Sequence, residues 1–91
     1  MFKLENKLIL ITGATGYLGS SLAHGLASLG ATIYVNSRST LRCNKLVEQI
    51  NARSGNALSA PFDVTSGSAV KHFSESIDEL HILVNMAYAG G

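Results

Sequence analysis

The chain has no tryptophan, one cysteine and one proline in 91 residues. Charge is scarce too: seven Lys and Arg stand against six Asp and Glu, a formal net charge of +1. Each shortage excludes something. Cys43 has no partner for an internal disulfide or a thiolate metal set, which fits a reducing compartment. The near-neutral balance leaves no electrostatic footprint for nucleic acid or an anionic membrane surface. The few Tyr and Phe residues are not interleaved with basic ones, as a groove for single-stranded nucleic acid requires. His24, His72 and His81 follow no metal-ligand spacing. No apolar run approaches a membrane span. The charged start, Met1 to Lys7, runs into a short apolar stretch and lacks the longer apolar region of a signal peptide. The expectation is a cytoplasmic chain with no nucleic-acid partner, no membrane segment and no metal.

What the chain does have is apolar side chains, at 46% of residues, and nine glycines. That composition suits a folded globular chain of at most one small domain. Two hydrophobic periods alternate along it. Lys7 to Thr12 reads as a short buried strand. Gly16 to Leu29 carries Leu18, Leu22, Leu26 and Leu29 on one helical face, with Gly30 placed to stop the helix. Ala31 to Asn36 reads as a second strand. Ser39 or Thr40 can cap a second helix running to about Arg53. Ala57 to Phe62 is a weaker third strand, and Pro61 near its end marks an edge or a terminus. Thr65 or Ser66 can cap a third helix, with Val70, Phe73 and Ile77 on one side. His81 to Asn85 is the fourth strand.

Strands apolar on consecutive residues are buried on both faces, as in a parallel sheet covered by helices. Strand and helix in strict alternation predict an α/β, doubly wound fold. Right-handed crossovers then place four parallel strands in the order 3-2-1-4 with three helices, a partial Rossmann fold over residues 1–91.

The glycine turn Thr12-Gly13-Ala14-Thr15-Gly16-Tyr17-Leu18-Gly19 sits between the first strand and the first helix. That context turns a glycine triplet into a dinucleotide phosphate motif. Gly13 permits the tight turn, Gly16 the close approach of a pyrophosphate, and Gly19 the packing of helix on strand. The backbone N–H groups of Gly16, Tyr17 and Leu18 are expected as free donors that, with the helix dipole, attract an anion. A glycine turn serving structure alone is the competing reading.

The end of the second strand selects among dinucleotides. A carboxylate there holds the ribose 2′-OH of NAD, but this sequence reads Asn36-Ser37-Arg38-Ser39. Arg38 offers fixed donors to the 2′-phosphate of NADP, with Ser37 and Ser39 as helpers. NADP is therefore expected over NAD. The alternative is an ordinary solvated arginine, although a cation at a helix start opposes the dipole.

Four pieces in order and at the right spacing make the chain resemble the N-terminal half of a short-chain dehydrogenase/reductase. They are the glycine turn, the Asn36-Ser37-Arg38 corner, Asp63-Val64 after the third strand, and Leu83-Val84-Asn85-Met86-Ala87 at the fourth. The resemblance implies that Asp63 meets the adenine amino group, with the Val64 backbone beside it. It implies that Asn85 ties the central sheet together and that Ala87 lies near the cofactor ribose. Simpler roles also exist: Asp63 as a capping carboxylate ahead of the third helix, Asn85 as a loop former. Two departures stand out. Many members have glycine at the position of Tyr17, not at Gly16, so a large ring is expected at the pyrophosphate corner, packing over the cofactor. Met86 and Tyr88 stand where the compact branch has Asn and Gly.

The family's chemistry implies a Tyr acid/base with a Lys four residues on and an upstream Ser. No Tyr-x-x-x-Lys occurs: Tyr17 is followed four on by Ser21, and Tyr34 by Arg38. The expectation is a truncated cofactor-binding half domain without its C-terminal catalytic half, inactive alone and with no catalytic residue. The alternative is a non-catalytic nucleotide-binding or structural module acting with a partner chain. The fourth strand is expected at an uncovered edge open to self-association.

Overall fold

The computed structural model describes residues 3–87. The elements alternate along the chain: β1 (Leu8–Thr12), α1 (Tyr17–Ser28), β2 (Thr32–Val35), α2 (Thr40–Ala52), β3 (Asn56–Ser59), α3 (Gly67–Ser76) and β4 (Ile82–Asn85). All strand pairs are parallel, and the sheet order is β3-β2-β1-β4, as the sequence predicts.

The register divides the core between the two sheet faces. Ile9 pairs with Ile33 and Ile11 with Val35, while Ala57 lies opposite Ile33. Side chains alternate along a strand, so these five share one face. All are buried, and they join Ala23 and Ala27 of α1 and Cys43, Leu46 and Ile50 of α2 in one cluster. The opposite face carries Leu10, Tyr34, Leu58 and Leu83. Its cover is thinner. Phe73 of α3 meets Tyr34 edge-on at 5.5 Å and stacks on Phe62 at 5.0 Å. No residue of α3 is fully buried.

The leucine stripe of the first helix is corrected by the structure. The buried residues of α1 are Gly19, Ala23 and Ala27. Leu18 is 67% exposed, while Leu22, Leu26 and Leu29 are partly buried beside the core. The reason is distance. A Cβ on Gly19 would lie 2.5 Å from the Gly13 carbonyl oxygen and 2.9 Å from Ala14 Cα. The helix comes so close to the turn that only small residues fit the line of contact, and the leucines flank it.

The third strand is also shorter than its apolar pattern implies. Pairing by β3 ends at Ser59, although the Ala60 N–H still donates to the Val35 carbonyl at 2.8 Å. Pro61 follows and has no N–H to extend the ladder. Serine caps start the other two helices: Ser39 Oγ accepts from Arg42 N–H and Ser66 Oγ from Ala69 N–H, each at 3.2 Å. Both were among the expected caps.

Candidate functional site

In a parallel sheet every strand delivers its C-terminal loop to the same edge, which is where such folds bind ligands. Here the loops after β1, β2, β3 and β4 surround an open cleft of about 1230 Å³. Gly13, Gly16, Ser37, Arg38, Asp63, Val64, Asn85 and Ala87 all lie in its wall. The cleft thus brings together eight of the eleven residues singled out in the sequence. Tyr17, Leu18 and Gly19 are outside the wall.

The glycine turn is held by its neighbours. Gly13 has φ +65°, and a Cβ there would meet Ala87 N at 2.8 Å and Met86 C at 2.9 Å. Glycine is needed on both counts, since the turn presses on the loop after β4. The Ala14 N–H donates to the Asn36 carbonyl at 2.8 Å, fixing the turn to the end of β2. Gly16 differs. A Cβ there would find only the Gly13 carbonyl oxygen, at 3.6 Å, so the space beside it is open to the cleft.

Gly16 is the N-cap of α1, with no side-chain cap and no acidic residue in the first turn. The other two helices each have a serine cap. Among the described residues no acceptor is assigned to the N–H groups of Tyr17 and Leu18, while the Gly16 N–H donates to Gly13 O at 3.3 Å. The sequence expectation is corrected to that extent: the Gly16 N–H is engaged within the turn. Tyr17 is 87% exposed and lies outside the cleft wall. Tyr88 lies outside the described residues.

At the end of β2, the Ser37 hydroxyl is committed to its own loop. Ser37 Oγ accepts from Ser39 N–H at 3.1 Å and lies 3.2 Å from the Sγ of buried Cys43. Arg38 is in the cleft wall, and so is Arg42, in the first turn of α2. Neither arginine is in an ion pair among the described residues, where the pairs are Lys3–Glu5 and His81–Glu79. Two cations therefore stand at a helix N-terminus, where the dipole disfavours them. Arg42 was missed in the sequence. Its position four residues beyond Arg38, at a predicted helix start, was the available signal.

After β3, Asp63 Oδ1 accepts from the Thr65 hydroxyl at 2.7 Å and from the Thr65 N–H at 2.9 Å. These bonds hold the carboxyl below its ordinary pKa, the hydroxyl contributing most; the Arg38 charge adds a smaller push in the same direction. One carboxylate oxygen is thus anchored by the loop. Ser66, not Asp63, caps α3. After β4, Asn85 Oδ1 accepts from the Thr12 hydroxyl at 2.7 Å. Its amide donors are left without an assigned acceptor among the described residues.

The site therefore has an uncapped helix N-terminus beside open space, two guanidinium groups outside any ion pair of the described residues, and a half-buried carboxylate along one cleft. A family model described as short chain dehydrogenase matches residues 7–90. The chain belongs to the short-chain dehydrogenase family. It is 37% identical over 91 residues to 5-keto-D-gluconate 5-reductase of Escherichia coli, covering 96% of this chain and 36% of that protein. Among solved structures, a 7α-hydroxysteroid dehydrogenase complexed with NADH and 7-oxo glycochenodeoxycholic acid superimposes with a TM-score of 0.91 at 29% identity. That match covers 99% of this chain and 37% of the other. A metagenomic short-chain oxidoreductase in complex with NADP gives a TM-score of 0.90 at 27% identity, covering 96% and 41%. This short-chain dehydrogenase chain spans about a third of the length of the curated relatives it matches. Family membership establishes a dinucleotide fold; the neighbours include both NADP and NADH complexes.

Among the described residues no helix is long and apolar enough to cross a membrane, and no group of three His, Cys, Asp or Glu could hold a metal.

Proposed function

We propose that this chain is the NADP(H)-binding portion of a short-chain oxidoreductase. The observation that carries the reading is the contrast at the helix starts: α2 and α3 have serine caps, whereas α1 has none and opens onto the cleft. An anion would supply the missing cap, and the pyrophosphate of a dinucleotide fits that need. The turn from Gly13 to Gly19 forms its cradle, with donors from Tyr17 and Leu18. Arg38 binds the 2′-phosphate. Asp63 accepts from the adenine amino group beside Val64, and Asn85 and Ala87 line the ribose side. Ser37 contributes by shaping its loop, since its hydroxyl is already engaged.

When bound, the cofactor supplies or accepts hydride at a carbonyl or alcohol carbon. The residues described for this chain bind and orient; none of them is assigned an acid/base role, and the sequence contains no Tyr-x-x-x-Lys. A second reading of the same cleft is a nucleotide-binding module without catalysis of its own that works with a partner chain. The buried, unpaired Cys43 suits a reducing compartment such as the cytoplasm.

Titration of the chain with NADPH, followed by nicotinamide fluorescence, tests the binding claim. Saturable binding is the expected result, and its absence at millimolar NADPH contradicts both readings. Carbonyl reduction by the chain alone would contradict the assignment of a purely binding role.

A further inference from the structure

Two polar side chains are buried among the described residues, Thr12 and Asn36. Thr12 is explained by its bond to Asn85. Asn36 is 1% exposed and lies where three loops meet at the cleft. Its backbone N–H donates to the Ile11 carbonyl at 3.1 Å, and its own carbonyl accepts from the Ala14 N–H at 2.8 Å. The glycine turn is thereby fastened to β2. Its side-chain Nδ2 donates to the Ala60 carbonyl at 2.9 Å and the Phe62 carbonyl at 3.1 Å, one on each side of Pro61. The neighbouring Ser37 carbonyl accepts from the Phe62 N–H at 3.1 Å.

A single residue thus reaches both rims of the cleft. One rim is the turn at Gly13–Gly16. The other is the segment Phe62-Asp63-Val64, which leaves β3 just where the strand ladder stops. Few side chains could replace it. Aspartate would set a carboxylate against two carbonyl oxygens, and a hydroxyl has one proton for two acceptors. We propose that Asn36 is a positioning residue for the dinucleotide, setting the span between the pyrophosphate turn and the adenine-side wall. This rests on the cofactor reading above. A ligand that bridges both rims depends on that span, whereas an ion seated only on the turn does not.

Asn36→Ala and Asn36→Thr in the full chain test the assignment, with NADPH and inorganic pyrophosphate as probes and backbone amide exchange as an independent readout. Asn36→Ala is expected to weaken NADPH by roughly tenfold or more, as two lost hydrogen bonds imply. Pyrophosphate affinity should change by less than about twofold, because the alanine variant keeps the backbone bonds to Ile11 and Ala14. Exchange at the Phe62 amide should accelerate far more than at Ile33 in the centre of β2. Asn36→Thr, which suits a strand end and retains one donor, should fall between. Equal losses for NADPH and pyrophosphate, a uniform rise in exchange, or failure of both variants to fold would overturn positioning in favour of a core role. A wild-type chain that binds no NADPH sinks the cofactor reading instead. In that event the exchange contrast between Phe62 and Ile33 still decides whether Asn36 sets the rim.

Discussion

The Thr12 hydroxyl donates to Asn85 Oδ1 at 2.7 Å, joining the last residue of β1 to its register partner at the end of β4. It orients the Asn85 amide while leaving its two N–H donors for other partners. Thr12→Val removes the donor and keeps the side-chain shape. The expected cost is about 0.5–1.5 kcal/mol, the net worth of one hydrogen bond. It should appear as a lower urea midpoint at constant m-value. An unchanged midpoint would show that the bond adds nothing to stability.

The glycines predict a graded series. Gly19→Ala places a Cβ 2.5 Å from the Gly13 carbonyl oxygen, so α1 must move off the turn. A loss of about 1–3 kcal/mol is expected from overpacking. Gly25 meets nothing within 4 Å on α1. Gly25→Ala should therefore stabilise by about 0.4–1 kcal/mol through helix propensity and a less free unfolded chain. Gly16→Ala should cost at most about 1 kcal/mol, through the poorer N-cap preference of alanine, since its nearest neighbour is 3.6 Å away, yet weaken NADPH by filling the open space. Thermal melts with and without NADPH check all three. A Gly16→Ala chain with wild-type affinity would remove the turn from the cofactor site.

Asp63 gives a pH prediction with a defined sign. Its folded pKa is lowered, chiefly by the Thr65 hydroxyl and then by the Thr65 N–H. A depressed carboxyl contributes stability that is present above the unfolded value of about 3.9 and is lost as pH falls through the folded value. Thr65→Val deletes the main donor. The Asp63 carboxyl, followed by carbon NMR titration, should then titrate at a higher pH than in the wild type. Coincident titration curves would show that the hydroxyl does not hold the carboxylate.

The fold was legible in the sequence because its two hydrophobic periods alternate without interruption. Consecutive apolar residues in Leu8–Ile11 and Ile33–Val35 marked two-sided burial, and the glycine turn set the first crossover. Of the candidate site, residue type and position singled out Arg38 and the family resemblance singled out Asp63, and both lie in the cleft wall. What escaped depends on distances between elements. The contact line of α1 runs through Gly19, Ala23 and Ala27, one position beyond the stripe that hydrophobicity alone selects. Asn36 looked like one polar residue in a loop corner, and its amide acquires meaning only beside the carbonyls across Pro61.

The edge of the sheet predicts association. β4 pairs only with β1 among the described residues, and Leu83 is 60% exposed on a strand with no charged residue or proline to discourage pairing. Sedimentation of the chain should show a concentration-dependent rise in mass. Leu83→Lys should reduce it by placing a charge on that strand. Monomeric behaviour at high concentration in both proteins would refute self-association through β4.

NADP(H) recognition by the cleft is tested by the ratio of NADH to NADPH dissociation constants, measured by calorimetry for the wild type and for Arg38→Ala. Removing a charge-assisted contact worth about 1.5–3 kcal/mol should weaken NADPH on the order of tenfold to a hundredfold while leaving NADH nearly unchanged. The same comparison for Arg42→Ala shows whether the second cleft arginine shares the 2′-phosphate. A wild type that prefers NADPH and loses that preference with Arg38 is the predicted result. Equal affinities in the wild type, or equal losses for both cofactors, would contradict it.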